Sequence, residues 1–388
     1  MSRDLITKPI TAALLHGAVE LEHTAHGVIP HRLPAWARAQ SGDPQLAMVE
    51  AQPSGVRLVF QTRATVVELQ ALRTRRVYAG LPARPDGVYV LAQGNHVLGQ
   101  TTMPGGHVLT VDMAAGSATR VEGAPGHARF ANLPEGDKTL TLWLPHDEAV
   151  ELIALHSDAP LVPVEAGAQR RWVHHGSSIS HGSNATAPHA IWPVVAAAQG
   201  DVALTNLGFG GSALLDPFVA RTIRDLPADL ISLKLGINLV NLDLMRLRAL
   251  GPAVHGFLDT IRDGHPTTPL LLVSPILCPM HEATPGPTLP DTAALARGEW
   301  RLQAAGDPTD VPRGKLTLQV IRSTLAEIVA QRRAHDPNLH YLDGLALYGE
   351  ADAQALPLPD GLHPDTATHR LIGERFAAHA FAEGVFGR

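Results

Sequence analysis

The 388-residue chain holds one cysteine, Cys278, which rules out an internal disulfide and suits a reducing compartment. Basic residues are in deficit: 31 Lys and Arg stand against 37 Asp and Glu, a net charge of −6. That balance argues against a general affinity for nucleic acid, and no block of like charges forms a tail. The short run "RTRR" (73–76) reads as a solvated face. No apolar run approaches the roughly 20 residues that cross a bilayer. The start, "MSRDLITKPITAALLHGAVE", lacks a basic region followed by a long apolar core and a cleavage site, so it does not read as a signal peptide. These absences predict a cytoplasmic protein with no membrane and no nucleic-acid partner. Two motifs are missing as well. "HEATP" (281–285) breaks the metalloprotease pattern HExxH, and neither Ser178 nor Ser212 sits in a G-x-S-x-G nucleophile elbow.

The length is enough for two domains with a sizeable core, and the two halves have different rhythms. From about residue 10 to 155, segments such as "GVRLVFQT", "ATVVELQAL", "DGVYVLAQGNHVLGQTT", "GHVLTVDM" and "KTLTLWLP" alternate apolar and polar residues or are β-branched. Turn signals "PDG" (85–87) and "QGN" (93–95) punctuate them, with glycine expected to supply positive φ. This pattern predicts a jelly-roll-like β-sandwich over residues 1–160. "HSDAPLVPVEAGAQ" (156–169) reads as a linker. Residues 168–388 then alternate strands with helices: "VALTNLGF", "DLISLKLGI", "TPLLLVSPI" and "LHYLDGLAL" are predicted strands. In 316–336, Leu318, Ile321, Leu325, Ile328 and Val329 recur on one helical face, and 365–386 reads as a closing helix after Pro364. Repeated β–α units imply an α/β domain with a parallel sheet between helices.

Ligands of such sheets bind beyond the carboxyl ends of the strands. There the chain places "RWVHHGSSIS" (171–180), "NLGFGGSA" (206–213), "LKLGINLVN" (233–241) and, before the last helix, "PLPDGLHPDT" (357–366). A serine hydroxyl needs an adjacent base to attack at neutral pH, and the base needs an orienting carboxylate. Asp360 and His363 are three apart and can lie on one side of a turn. The amide of Gly211 and the side chain of Asn238 are candidate donors to an oxyanion. Each segment alone has a plainer reading: a tight turn at the glycines, a helix cap at Asn238, a capping aspartate at Asp360.

In combination the four segments resemble the SGNH, or GDSL, hydrolases, whose blocks carry Ser, Gly, Asn and His. Gly176-Ser177-Ser178-Ile179, Asn206 to Gly211, Gly236-Ile237-Asn238 and Asp360 to Pro364 match those blocks in order, over roughly residues 170–385. The resemblance implies a flavodoxin-like fold without metal or organic cofactor. It implies Ser178 as nucleophile, His363 as base and then acid, and Asp360 as orienting carboxylate. The amides of Ser178 and Gly211, with Asn238, would form the oxyanion hole. Ser177 and Leu239 stand where the family often has aspartate. A sandwich ahead of such a domain is similar to some carbohydrate acetylesterases, which implies deacetylation of a small O-acetylated sugar or a similar short-chain ester. Lipase, arylesterase and thioesterase roles suit the same residues; the alternative of a carbohydrate-binding protein with an inactive hydrolase half is opposed by intact Ser178, His363 and Asp360.

Two further readings compete. "GFGGSA" (208–213) fits a dinucleotide fingerprint, but no acid closes the next strand to hold a ribose. His174, His175, His181, His189, His281 and Glu282 invite a metal cluster, although buried or surface histidines explain them more simply. Cys278, on an apolar strand end, reads as a small buried hydrophobe. The proline-rich stretch 274–291 is expected to wall the acyl pocket, with His281 and Glu282 as candidate substrate contacts and Trp300 packing the insertion down. Exposed sandwich edges offer a route to a homo-oligomer.

Overall fold

The computed structural model describes residues 5–81, 83–112, 115–165, 167–382 and 384–387. Ala166, Met113 and Glu383, within the stretches read as linker, strand and closing helix, lie outside the described residues. The chain divides into two compact units. The first comprises residues up to Ala35, Ala47–Gln169 and Thr186–His189; the second comprises Trp36–Leu46, Arg170–Ala185 and everything from Ala190.

The first unit is a sandwich of an eight-stranded and a six-stranded sheet. In the larger sheet, Val67–Tyr78 runs antiparallel to Ala149–Ser157 and parallel to His107–Asp112. In the smaller, Lys138–Trp143 lies between Arg57–Thr62 and Val88–Gln93. Alternation explains both sheets: Leu140 and Leu142 point inward while Thr139 is exposed. Leu58, Phe60, Leu69, Leu91 and Leu152 complete one shared core. The two turn glycines differ in their physical reason. Gly94 has φ +55°, as a hairpin turn requires. Gly87 is not left-handed; a Cβ there would stand 2.7 Å from Pro145 Cβ and 2.8 Å from the Glu148 carboxyl carbon.

The second unit is built on a five-stranded parallel sheet in the order 202–208, 170–176, 230–234, 270–273, 339–342. Counted in chain order this is 2-1-3-4-5, the flavodoxin-like arrangement, with its switch point at the carboxyl end of the first strand. The first strand, Arg170–Gly176, shows how both faces are covered. Trp172 stacks on Phe376 at 5.1 Å, and His174 packs edge-on against Trp192 at 4.7 Å, both from one helical layer. His175 faces the other way, against Phe257 at 5.9 Å. Helix Leu318–Arg332 buries Leu318, Ile321, Leu325, Ile328 and Val329, the face expected from spacing, and starts where Thr317 caps Val320 N. The closing helix runs Thr366–Ala377, with Asp365 capping Thr368 N.

The longest helix among the described residues, Leu247–Gly264, fills one of the helical intervals expected between strands. Its Gly251-Pro252 pair reads as a breaker, yet Pro252 lies in the second turn, and the apolar face Leu250, Val254, Phe257, Leu258 and Ile261 is buried. Among the described residues no helix is long and apolar enough to cross a membrane.

Candidate functional site

The first strand ends at Gly176, and Ser177 turns the chain into a short helix, Ser178–His181, by accepting a hydrogen bond from Ile179 N. Serine therefore keeps the cap that an aspartate would supply, and helix geometry raises Ser178 at the switch point. Its hydroxyl lies 2.9 Å from His363 Nε2. His363 Nδ1 lies 2.8 Å from Asp360 Oδ2, while Asp360 Oδ1 accepts the backbone N–H groups of Leu362 and His363 at 2.9 and 2.7 Å. Asn184 Nδ2 donates to Asp360 Oδ2 at 3.2 Å. Burial alone would raise the Asp360 carboxyl, but hydrogen bonds and charge from His363, with the two amides, hold it well below the usual carboxylate range. An ionised carboxylate there fixes the proton on Nδ1 and leaves Nε2 to accept from the serine.

The candidate donors expected from sequence, Gly211 and Asn238, follow two further strands. Gly211 has φ +77°, a left-handed conformation that favours glycine. Ala213 N donates to Asn238 Oδ1 at 3.1 Å. Only the oxygen end of an amide accepts an N–H, so Nδ2 is turned the other way. Among the described residues no hydrogen bond engages Asn238 Nδ2, Ser178 N or Gly211 N. Leu239 is buried in the core, where an aspartate would lose its hydration.

A second serine–histidine pair lies close by. Ser180 Oγ is 2.8 Å from His174 Nε2, and Ser232 Oγ is 2.7 Å from Nδ1. Ser180 and His174 are both 0% exposed, whereas Ser178 is 7% exposed. With a hydroxyl in place of the carboxylate and no access, this pair braces the core. Burial, then His175 and Lys234, lowers His174 well below its usual pKa.

The readings of His281 and Glu282 as substrate contacts are corrected. His281 is fully buried, held by Thr284 O at 3.0 Å and Thr288 Oγ1 at 2.7 Å. Glu282 pairs with Arg322 at 2.6 Å. Both brace the insertion after the fourth strand, which carries a small hairpin of Thr288–Pro290 and Leu302–Ala304. Trp300 is 39% exposed. Cys278 is buried, as expected, and burial pushes its thiol up to about 12. Among the described residues no group of three His, Cys, Asp or Glu side chains could hold a metal ion.

Sequence reasoning missed Asp43 and Gln45. They lie in Trp36–Leu46, which groups with this unit. Gln45 Nε2 donates to Gly210 O at 2.8 Å, and Ser212 Oγ donates to Asp43 Oδ2 at 3.4 Å. Burial, then the charge of Asp43, pushes Asp216 from 3.8 up to about 6. The folded state then holds this proton more tightly than the unfolded chain. The contribution of Asp216 to stability therefore falls as pH rises from about 4 to about 6, then levels off. Asp216 makes no capping hydrogen bond, so asparagine there should keep the helix start. After discounting for partial exposure, Asp216→Asn is expected to gain about 1 kcal/mol at pH 7.5 and nothing at pH 3.5. Thermal unfolding of both proteins across that range checks this.

Residues 169–280 match the model of the GDSL-like lipase/acylhydrolase family. No curated protein matches the chain. Among solved structures, a salicylyl-acyltransferase from a tetracycline biosynthetic pathway is 26% identical, with TM-score 0.77, over 97% of this chain and 96% of its own. A family two carbohydrate esterase from Clostridium thermocellum, solved with cellohexaose, is 14% identical, with TM-score 0.55, over 84% of this chain and 91% of its own. An acetyl xylan esterase from the rumen bacterium Butyrivibrio proteoclasticus is 9% identical, with TM-score 0.55, over 96% of this chain and 97% of its own. The fold and these likenesses define the class as ester hydrolases. Residues 169–280 thus carry a GDSL-like lipase/acylhydrolase domain, and the sandwich precedes it.

Proposed function

We propose that the protein is a serine esterase that works through an acyl-enzyme on Ser178 and removes acetyl or similarly short acyl groups from a small O-acetylated carbohydrate or related ester. The observation that carries the reading is the continuous contact from the Ser178 hydroxyl through His363 to Asp360, at 2.9 and 2.8 Å. His363 Nε2 takes the serine proton as Oγ attacks the ester carbonyl. The tetrahedral oxyanion is held by the amides of Ser178 and Gly211 and by Asn238 Nδ2. His363 then returns the proton to the leaving alcohol, and a water activated in the same way releases the acid. No step calls on a metal or an organic cofactor. The carbohydrate-acting enzymes of the same architecture support the substrate class.

A second reading concerns the acceptor. The 26% identity to an acyltransferase over nearly the whole chain favours transfer to an alcohol in place of water. Both readings share the acyl-enzyme and differ in what resolves it.

A fluorophosphonate is expected to add one phosphonyl mass to the protein, on Ser178. Acetyl esters of nitrophenol and acetylated sugars should turn over at least 10-fold faster than long-chain acyl esters, since a small acyl pocket gains nothing from added methylenes. An unlabelled Ser178 refutes the nucleophile. Faster turnover of long chains refutes the deacetylase reading. Adding a free alcohol separates the acceptors: transfer yields a new ester, hydrolysis only acid.

A further inference from the structure

The segment Trp36–Leu46 has no counterpart in the catalytic scheme so far, yet it is fastened to the α/β unit at several points. The Arg221 guanidinium lies 5.1 Å over the Trp36 ring and donates to Gln40 Oε1. Asp43 Oδ1 accepts Gln45 N at 2.9 Å, which sets the start of the helix at Pro44. From that point Gln45 Nε2 reaches Gly210 O at 2.8 Å, and Asp43 Oδ2 accepts from Ser212 Oγ at 3.4 Å. The two residues flanking Gly211 are thus both gripped by this strap. Along Gly211 itself a Cβ would stand 3.4 Å from Gln45 Nε2.

We propose that Gln45 is a positioning residue for the oxyanion hole, fixing the orientation of the Gly210–Gly211 peptide so that the Gly211 N–H stays directed at the site. In a planar trans peptide the carbonyl of one residue and the N–H of the next point in opposite directions. Holding Gly210 O against Gln45 therefore aims Gly211 N–H away from the strap. The hold is needed because the loop is flexible by composition: Gly208, Gly210 and Gly211 leave the backbone free to rotate, and φ at Gly211 is already +77°. A flipped peptide would present a carbonyl oxygen to the developing negative charge. Asp43 acts one step further back, by anchoring Gln45 N and Ser212. The inference rests on the reading of Ser178 as nucleophile and Gly211 as oxyanion donor.

The test uses the full chain with Gln45→Glu and Gln45→Met. Glutamate keeps the shape but donates nothing when ionised; methionine keeps the length and adds no charge. Both should lower kcat about 10- to 100-fold, less than outright loss of an oxyanion donor, with KM within about 2-fold. A second readout is affinity for a small boronic acid. Ser178 Oγ adds to boron as its proton passes to His363, forming a B–O bond and an anionic tetrahedral adduct. Affinity should fall by the same factor as kcat, while the unfolding temperature of the methionine variant stays within a few degrees of wild type.

Unchanged kcat and boronate affinity in a folded Gln45→Met protein overturns the proposal. So does a loss of kcat with boronate affinity intact, because the effect then lies outside the oxyanion hole. Failure of the underlying reading looks different: Ser178→Ala would keep full activity whatever the Gln45 variants do.

Discussion

Ser178→Ala is expected to cut kcat for ester hydrolysis by about 10⁴- to 10⁶-fold while leaving the unfolding temperature near wild type. The hydroxyl sits at the start of a short helix, and its loss removes one contact, to His363 Nε2. Alanine suits a helical position, so the fold has little reason to respond. Turnover, in contrast, loses its covalent route entirely. His363→Ala should fall by a similar factor, and the double variant should be no worse than either single one. Such non-additivity is the signature of residues that act as one unit, since each is useless without the other. The control is Ser180→Ala. Ser180 and His174 are equally close in space but fully buried, so that variant should keep turnover within a few-fold. Steady-state kinetics on a nitrophenyl ester, with thermal unfolding of each variant, checks the set. Additive losses, or a Ser180 variant as impaired as the Ser178 one, would move the chemistry to another pair.

What could be read from the sequence follows from where its signals are local. The α/β unit was legible because each strand end carries its own marked segment, and the family's four blocks each pair a residue type with a strand-to-loop position. Helix Leu318–Arg332 was legible because its apolar face has the helical period and Thr317 caps it. Helix Leu247–Gly264 was legible only as an interval between two strands, its bounds being less marked because a glycine–proline pair lies in its second turn. His281 and Glu282 were misassigned for a different reason. Polar residues in a proline-rich stretch look available to a ligand, and only tertiary structure reveals that Arg322, 40 residues on, satisfies Glu282. Gln45 and Asp43 carried no signal of the site, since Asp43 before Pro44 marks only a helix start. Their partners Gly210 and Ser212 lie 165 and 169 residues away. The sandwich was legible as a class from alternation, whereas its strand order depends on long-range pairings such as Val67–Tyr78 with His107–Asp112.

Asp360→Asn tests how the histidine is held, and it is expected to lower kcat by about 10³- to 10⁴-fold without unfolding the protein. In the wild type, Oδ1 accepts two backbone amides, from Leu362 and His363, and Oδ2 accepts from the imidazole. An asparagine has one acceptor end and one donor end. The two backbone N–H groups will claim the oxygen, because turning the amide round would set two N–H groups against an NH2. The Nδ2 end must then face His363 Nδ1, which can only accept from it if its own proton has moved to Nε2. That nitrogen is the one 2.9 Å from Ser178 Oγ, and once protonated it cannot take the serine proton. The variant should therefore fold with the turn intact and the wrong tautomer in place. Nitrogen NMR of labelled histidine distinguishes the two tautomers directly, and kinetics gives the loss. A large fall in kcat with the proton still on Nδ1 would mean that the negative charge of Asp360, stabilising the imidazolium, matters more than the tautomer it enforces. A variant as active as wild type would remove Asp360 from the relay altogether.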